Sequence, residues 1–490
     1  MFQLDRASAA PLADQIELRL RELVESGRLP PGARLSSIRQ LAASLSVSPN
    51  TVVGAYDRLA AAGVIDARGK AGYFVQERRG DTPESQAVLE AGEDHDPVWL
   101  AQQANDRPSD VLLASSGGVP STWLEDAVPN AAVHRALARS PAGLVTRCPA
   151  QGLPELRERL ALVMRGMGIP VDAGRVLTTV GGTHAIDLIS RCFLKPGDTV
   201  IVEEPGFFHL LGRLAHAGLR VVPVARRHDG VDLAQLEAAC RELRPKLAFL
   251  QTVLHNPTGW GSTPANLHKV LVIAREHGLL IAEDDVLGQF EPGQVTRLAA
   301  LSGLERVIYY SSFCKVLSPS LRLGWIAADP SLLKPLLREK IYSVMATAAL
   351  SELVLLEVLA AGRWRKHLDR LHARVAAARR ASLRHLRGAG VAFEHPSEVG
   401  MFLWGELPEG VDVEELVADA GRNHILLAGG ASFRVGREPD PHIRFNVAIC
   451  QQPRVAEYLR DRFQAIEGVR GAMRGGGGQP LHASARAATR

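Results

Sequence analysis

Apolar residues Leu12, Ile16, Leu20 and Leu23 recur every three or four positions with charged residues between them, which predicts an amphipathic helix. The Leu29–Gly32 run, with two prolines, breaks it. A second short helix follows the capping candidates Ser36 and Ser37 and turns Ile38, Leu41 and Leu45 inward. Ser46 to Pro49 leads into a third helix, Asn50–Ala62, closed by Gly63. Two short apolar runs, Val64-Ile65 and Tyr73–Val75, then flank a turn from Arg68 to Gly72. Further on, from about Val111 to about Gly468, buried-strand runs alternate with amphipathic helical patterns, the signature of an α/β fold.

Composition sharpens the boundaries. Residues 1–80 hold eleven Lys/Arg and eight Asp/Glu, a balance of 11 − 8 = +3, and read as one small domain. Residues 81–97 carry six acids and no Lys or Arg, so 81–110 reads as a linker. The large domain spans 111–468. The tail, 469–490, is rich in Gly, Ala and Arg without apolar periodicity and reads as disordered. A chain of 490 residues with 46% apolar and 22% charged residues can fill more than one core. Its net charge of +4 by itself decides nothing about partners. Five scattered cysteines without a C-x-x-C pair argue against disulfides or a zinc site. No metal is expected. The first residues lack an apolar signal core, and charge interrupts every apolar run short of a membrane span, so a cytoplasmic protein is expected.

Helix, helix, turn, helix and hairpin is the order of a winged helix-turn-helix, a mostly α unit with a β-wing. Asn50 and Thr51 then stand at the start of the recognition helix, where base edges are read. Arg34 and Arg39 flank the second helix and suit phosphates, while Arg68 and Lys70 sit at the tip of a glycine-bearing hairpin suited to a minor groove. The same periodicity also fits a small helical cap on the large domain, its arginines merely solvated.

Four constellations in the large domain share an order. Val176–Ala185 runs a strand into Gly181-Gly182-Thr183, whose backbone N–H groups can meet an anion at a helix start. Val200–Phe208 is a strand ending in Pro205 and two aromatics, of which Phe207 could stack on a ring. His255–Gly259 follows the strand Leu247–Val253, and Leu279–Asp285 is a strand ending in acids. Lys315 follows the apolar strand that begins at Val307, where desolvation lowers an amine's pKa and favours Schiff-base formation. Each alone is weak; a lysine after a strand is most often a surface residue.

The run G-x-R-L-x-S-x-R-x-L-A, then S-x-N-T-V-x-x-A-Y-x-x-L, then G-x-I, resembles the DNA-binding domain of the GntR family of bacterial regulators. Ser36 stands where that family usually has proline. The resemblance implies that Arg34, Arg39, Asn50, Thr51, Arg58 and Gly72 meet DNA. The four later constellations together resemble fold-type I enzymes of the class I aminotransferase group, which use pyridoxal 5′-phosphate. That resemblance implies an internal aldimine on Lys315 and Asp284 on the pyridine nitrogen, keeping the ring an electron sink. It further implies Asn256 on the 3′-oxygen, and Gly182, Thr183, Ser312 and Arg322 on the phosphate. Arg444 corresponds to the arginine that grips a substrate α-carboxylate.

Two positions depart from the pattern. A tyrosine usually stands two residues after the aspartate, and here it is Val286, which cannot donate. A second tyrosine, which reaches a neighbouring subunit's phosphate, aligns with Arg147. Cofactor binding survives both changes; fast transamination is put in doubt.

A GntR-type domain ahead of an aminotransferase-like domain is the arrangement of the MocR subfamily of regulators. The expectation is a homodimeric regulator of double-stranded DNA that senses an amino compound by aldimine exchange at Lys315, with weak or no transaminase activity. The alternative is an active aminotransferase with a vestigial DNA-binding domain. A regulator without cofactor is a third reading, disfavoured by the complete set Asn256, Asp284, Lys315 and Arg322.

Overall fold

A computed structural model describes residues 4–6, 11–25, 28–67, 72–76, 111–139, 145–360 and 362–475, with side chains to 468. The predicted linker, Arg68 and Lys70 lie outside the described residues. Two compact units divide the chain, Met1–Val88 and Leu89–Arg490.

In the small unit, α1 is Leu12–Glu25, α2 Ile38–Leu45 and α3 Pro49–Ala61, followed by β1, Ile65–Ala67, and β2, Tyr73–Val75. Ile16, Leu20, Leu41, Val52, Tyr56 and Leu59 close its core. Ser37 and Gln40 form a reciprocal capping box at the start of α2. Ser48 caps α3, with Pro49 in the first turn, where its missing N–H costs nothing. The hairpin pairs Ile65 with Val75 and Ala67 with Tyr73.

The segment around Arg34 does more than break α1. Leu35 N donates to Tyr73 O and Val75 N to Ala33 O, each at 2.8 Å, so this segment is a third edge of the wing. The signal is hidden because two prolines and a glycine read as interruption, while the pairing partner lies some forty residues on.

The large unit is built on an eight-stranded mixed sheet in the order β3-β10-β9-β8-β7-β4-β5-β6. These strands are β3 Val176–Thr179, β4 Thr199–Glu204, β5 Arg220–Arg227, β6 Gly230–Val231, β7 Leu247–Leu250, β8 Leu280–Asp284, β9 Val307–Ser312 and β10 Gly324–Ala327. β5, β4, β7, β8 and β9 run parallel, and β10 is antiparallel to both neighbours. Continuous burial of β7, β9 and β10 follows from helices on both faces. Ile281, Val307, Tyr309 and Trp325 pack on one side, and Ala282, Ile308, Tyr310 and Ile326 on the other. A smaller sheet pairs β11, Phe402–Glu406, with β12, His442–Asn446.

The last helix, Pro453–Gly475, corrects the expected boundary of the tail: it runs seven residues past 468. Ala472 and Met473 are good helix formers, and a helix already started adds residues at little cost. Residues 476–490 lie outside the described residues.

Candidate functional site

Strand ends converge at one place. Ligands in open α/β sheets bind outside the carboxyl ends of the strands, where strand order reverses. Here the reversal falls between β4 and β7. A cavity of about 300 Å³ sits at these ends, lined by Gly182, Thr183, Phe207, Asn256, Asp284, Ser312, Lys315, Arg322 and Arg444. Thus these nine expected residues line one space, together with Val286, which follows β8, while Gly181 is not among the lining residues. Arg147 is exposed and is not among the lining residues.

Lys315 Nζ stands 3.2 Å from where a Cβ on Gly117 would be, so the glycine leaves the amine its room. Burial holds this amine below its ordinary pKa, and Arg444 and Arg322 push the same way. Asp284 is the register partner of Tyr310 across β8 and β9. The Tyr310 hydroxyl donates to Asp284 Oδ2 and the Val286 amide to Oδ1, both at 2.9 Å. Burial nevertheless pushes the Asp284 carboxyl up to about 6. A desolvated carboxylate facing a cavity favours a cationic partner there, as a protonated pyridine nitrogen is. The adjacent acids serve the fold: Glu283 accepts from Leu298 N and Ala299 N, and Asp285 from Arg297 and Tyr309.

The helix Gly181–Phe193 opens at the other end of the cavity, and no side chain among the described residues caps its first turn. Its free N–H groups and dipole make an anion site. Gly181 has φ of +78°, and a Cβ there would stand 3.0 Å from Arg322 Nη2. A Cβ on Gly182 would come within 2.8 Å of Val286 Cγ2. Ser312 Oγ donates to Leu323 O and accepts from Cys314 N, so its hydroxyl also braces the turn before the lysine.

Arg444 is buried among Phe208, Phe402 and Phe433, its guanidinium carbon 4.5–5.5 Å from their ring centres. Nη1 donates to Asn256 Oδ1 at 2.8 Å and Nη2 to Ser115 O, while Nε has no partner among the described residues. Burial lowers its pKa to about 9. A buried cation with a spare donor is what an incoming carboxylate satisfies. Holding Asn256 by its oxygen leaves that amide's N–H groups to donate elsewhere.

Sequence reasoning missed Tyr310, Gln251 and His209. Gln251 Oε1 accepts from Asn256 N at 2.9 Å, and His209 lines the cavity with its pKa lowered by burial and by Lys315. Strand alternation places Tyr310 on the face of Ser312, a signal available in the sequence. His209 carried none.

Donors and cavity therefore fit pyridoxal 5′-phosphate: an amine, a carboxylate opposite a ring-sized space, an uncapped helix start beside Arg322, and aromatic Phe207 at the wall.

In the small unit Arg34, Arg39 and Asn50 are exposed, and Thr51 is half-buried. A Cβ on Gly72 would stand 3.6 Å from Arg34 Nε, so wing and arginine lie together. Thr51 Oγ1 is 2.8 Å from Ser48 Oγ, within the cap of α3. Arg58 is exposed as well. It pairs with Asp14 at 2.9 Å and Glu17 at 3.1 Å on α1, so it ties α3 to α1.

Fold and site define a fold-type I, pyridoxal-phosphate-binding unit behind a winged DNA-binding unit. The chain belongs to the aminotransferase class I and II family, whose model matches residues 115–461, and residues 12–75 match the bacterial regulatory proteins of the gntR family. It is 32% identical to the uncharacterized HTH-type transcriptional regulator YdcR of Escherichia coli, over 89% of this chain and 94% of that one. The probable rhizopine catabolism regulatory protein MocR of Rhizobium meliloti is 28% identical over 76% of each chain. Among solved structures, LysN, an α-aminoadipate aminotransferase of Thermus thermophilus complexed with N-(5′-phosphopyridoxyl)-L-leucine, superposes with a TM-score of 0.67. It is 27% identical and covers 74% of this chain and 94% of that one. This is the MocR arrangement, a GntR-type regulator fused to an aminotransferase-like domain that takes pyridoxal phosphate.

Proposed function

We propose that the chain regulates transcription in the cytoplasm as a homodimer, binding double-stranded DNA through its N-terminal unit and reading a carboxylated amine at Lys315. Pyridoxal 5′-phosphate, when bound, supplies an aldehyde that condenses reversibly with primary amines and a ring that withdraws electrons. Lys315 offers an amine whose burial raises its neutral fraction, and an effector amine competes with it. Asp284 would pair with the ring nitrogen, Asn256 with the 3′-oxygen and Phe207 with the ring face. Gly182, Thr183, Ser312 and Arg322 would hold the phosphate. Arg444 takes the effector carboxylate and, through Asn256, joins it to the cofactor's surroundings. Arg34, Arg39, Asn50, Thr51 and Gly72 meet DNA; Lys70, outside the described residues, is proposed with them on sequence alone.

The observation that carries this reading is the buried Arg444, lining the cavity of Lys315 with an Nε that has no partner among the described residues. An effector couples to DNA only through different affinity for two arrangements of the protein. Purified full-length protein should therefore show the visible absorbance of lysine-bound cofactor, absent in Lys315→Ala. Amines that shift the band should also shift DNA affinity. Colourless protein after cofactor addition, or DNA affinity indifferent to every such amine, overturns the proposal. The second reading, an active aminotransferase, draws on the intact Asn256, Asp284 and Lys315. Val286, apolar where a hydroxyl is usual, favours the regulator, and rapid keto-acid formation would reverse that order.

A further inference from the structure

The 26-residue helix Arg363–Gly388 carries nine Lys/Arg and one acid, Asp369, a balance of 9 − 1 = +8 in a chain totalling +4. One face is buried through His367, Leu371, Val375, Ala378, Ser382 and Leu386. On the opposite face Arg363, Lys366, Arg370, Arg380, Arg384 and Arg387 are exposed. None of these six side chains has a hydrogen bond or ion pair among the described residues. Two other arginines of the helix do have protein partners. Arg379 donates to Ser397 O, Gly400 O and Phe402 O, and Arg374 to Trp123 O.

Glu125, Asp126 and Glu357 line a cavity with Arg363, Lys366 and Arg370 at one end of the ridge, yet neighbouring cations along it still oppose one another. Lys366 and Arg370, and Arg380 and Arg384, are like charges one helical turn apart, which repel. A polyanion along the ridge reverses that cost. Arg363 and Arg387 are 24 positions apart, about 36 Å at the helical rise. That is roughly one turn of B-form DNA, whose two strands present a charge about every 1.7 Å. At the C-terminal end, Arg460 of the helix Pro453–Gly475 donates to Gly388 O and adds another exposed cation. An anionic membrane is the poorer match, since a helix lying in lipid needs an exposed apolar face, and here that face is buried in the core.

We propose that this ridge is a second surface for double-stranded DNA, contacting backbone phosphates without reading sequence. The proposal rests on the DNA-binding role argued above, and its test separates the two. DNA from upstream of the protein's own gene is prepared as a short fragment spanning the footprint and as one extended by several helical turns on each side. Wild type should bind the long fragment at least tenfold more tightly. The full-length triple variant Arg380→Glu, Arg384→Glu, Arg387→Glu should lose that gain while binding the short fragment normally. On the long fragment its salt dependence should flatten by about three in slope. The corresponding Gln triple, which relieves repulsion and retains the cofactor band, should act in the same direction and guards against misfolding.

Equal affinity of wild type for both fragments, or an unchanged preference in both triples, overturns the ridge. So does a variant that loses phosphatidylglycerol vesicles or RNA while keeping long DNA. Absence of any DNA binding by wild type removes the N-terminal role as well, whereas Arg39→Ala losing the short fragment keeps that role whatever the ridge does.

Discussion

Tyr310 and Asp284 face each other across neighbouring parallel strands, and the phenol donates to the carboxylate at 2.9 Å. The phenol is a positioning group: it and the Val286 amide fix the rotation of an acid that burial pushes up to about 6. Tyr310→Phe should leave the fold intact and remove one bond to the charged form, so the Asp284 pKa rises further. A more basic carboxylate keeps the ring nitrogen of bound cofactor protonated, which makes the conjugated imine more acidic, so the visible band should be lost at a lower pH than in wild type. An unchanged pH profile would show that Tyr310 only packs.

The sign of the Asp284 shift sets a stability test without cofactor. A carboxyl with a raised folded-state pKa contributes most below its unfolded value near 4, and that contribution is lost as pH rises through about 6. Apo Asp284→Asn should therefore be more stable than apo wild type at pH 8, by at most about 3 kcal/mol. Below the unfolded value that advantage should vanish. Paired denaturation curves at the two pH values decide it.

Arg444→Ala removes a buried cation and leaves Asn256 Oδ1 without its donor. Leaving that buried neutral acceptor unsatisfied costs about 1–3 kcal/mol. The spectral response to amino acids should weaken a hundredfold or more, while the response to an alkylamine without a carboxylate should persist. Equal loss for both amines would assign Arg444 to the scaffold alone.

At the phosphate end, Gly181→Ala places a methyl 3.0 Å from Arg322 Nη2 on backbone with φ of +78°. Cofactor affinity should fall at least tenfold, measured by the absorbance regained on titrating the apo protein. Gly182→Ala should behave likewise, because the added methyl meets Val286.

Arg39 and Arg58 should separate in the small unit. Arg39→Ala should weaken DNA binding and lower the salt slope by about one. Arg58→Ala breaks half-exposed ion pairs to Asp14 and Glu17, worth about 1 kcal/mol or less, and should leave DNA affinity unchanged. Filter-binding titrations across salt concentrations test both.

Periodicity and capping residues were enough for the helices of the small unit, because each helix is set by contacts three or four residues apart. The alternation of apolar runs likewise revealed the α/β character of the large unit. Order and spacing marked the strand ends as candidate stretches, and the resemblance to class I aminotransferases then singled out Lys315, Asp284, Asn256 and Arg322 among them. The charges on Arg363–Gly388 were also in the sequence; what was absent was which of them find partners.

Tertiary structure decided the rest. It paired the Arg34 segment with the wing, tied Arg58 to α1, and joined Arg444 to Asn256, 188 positions away. It also buried Arg379 while leaving Arg380 exposed. Local pattern fixes a residue's face on its own element. Whether that face meets a carboxylate, a carbonyl or solvent depends on chain that returns from far away, and that return sets pKa, rotation and free charge.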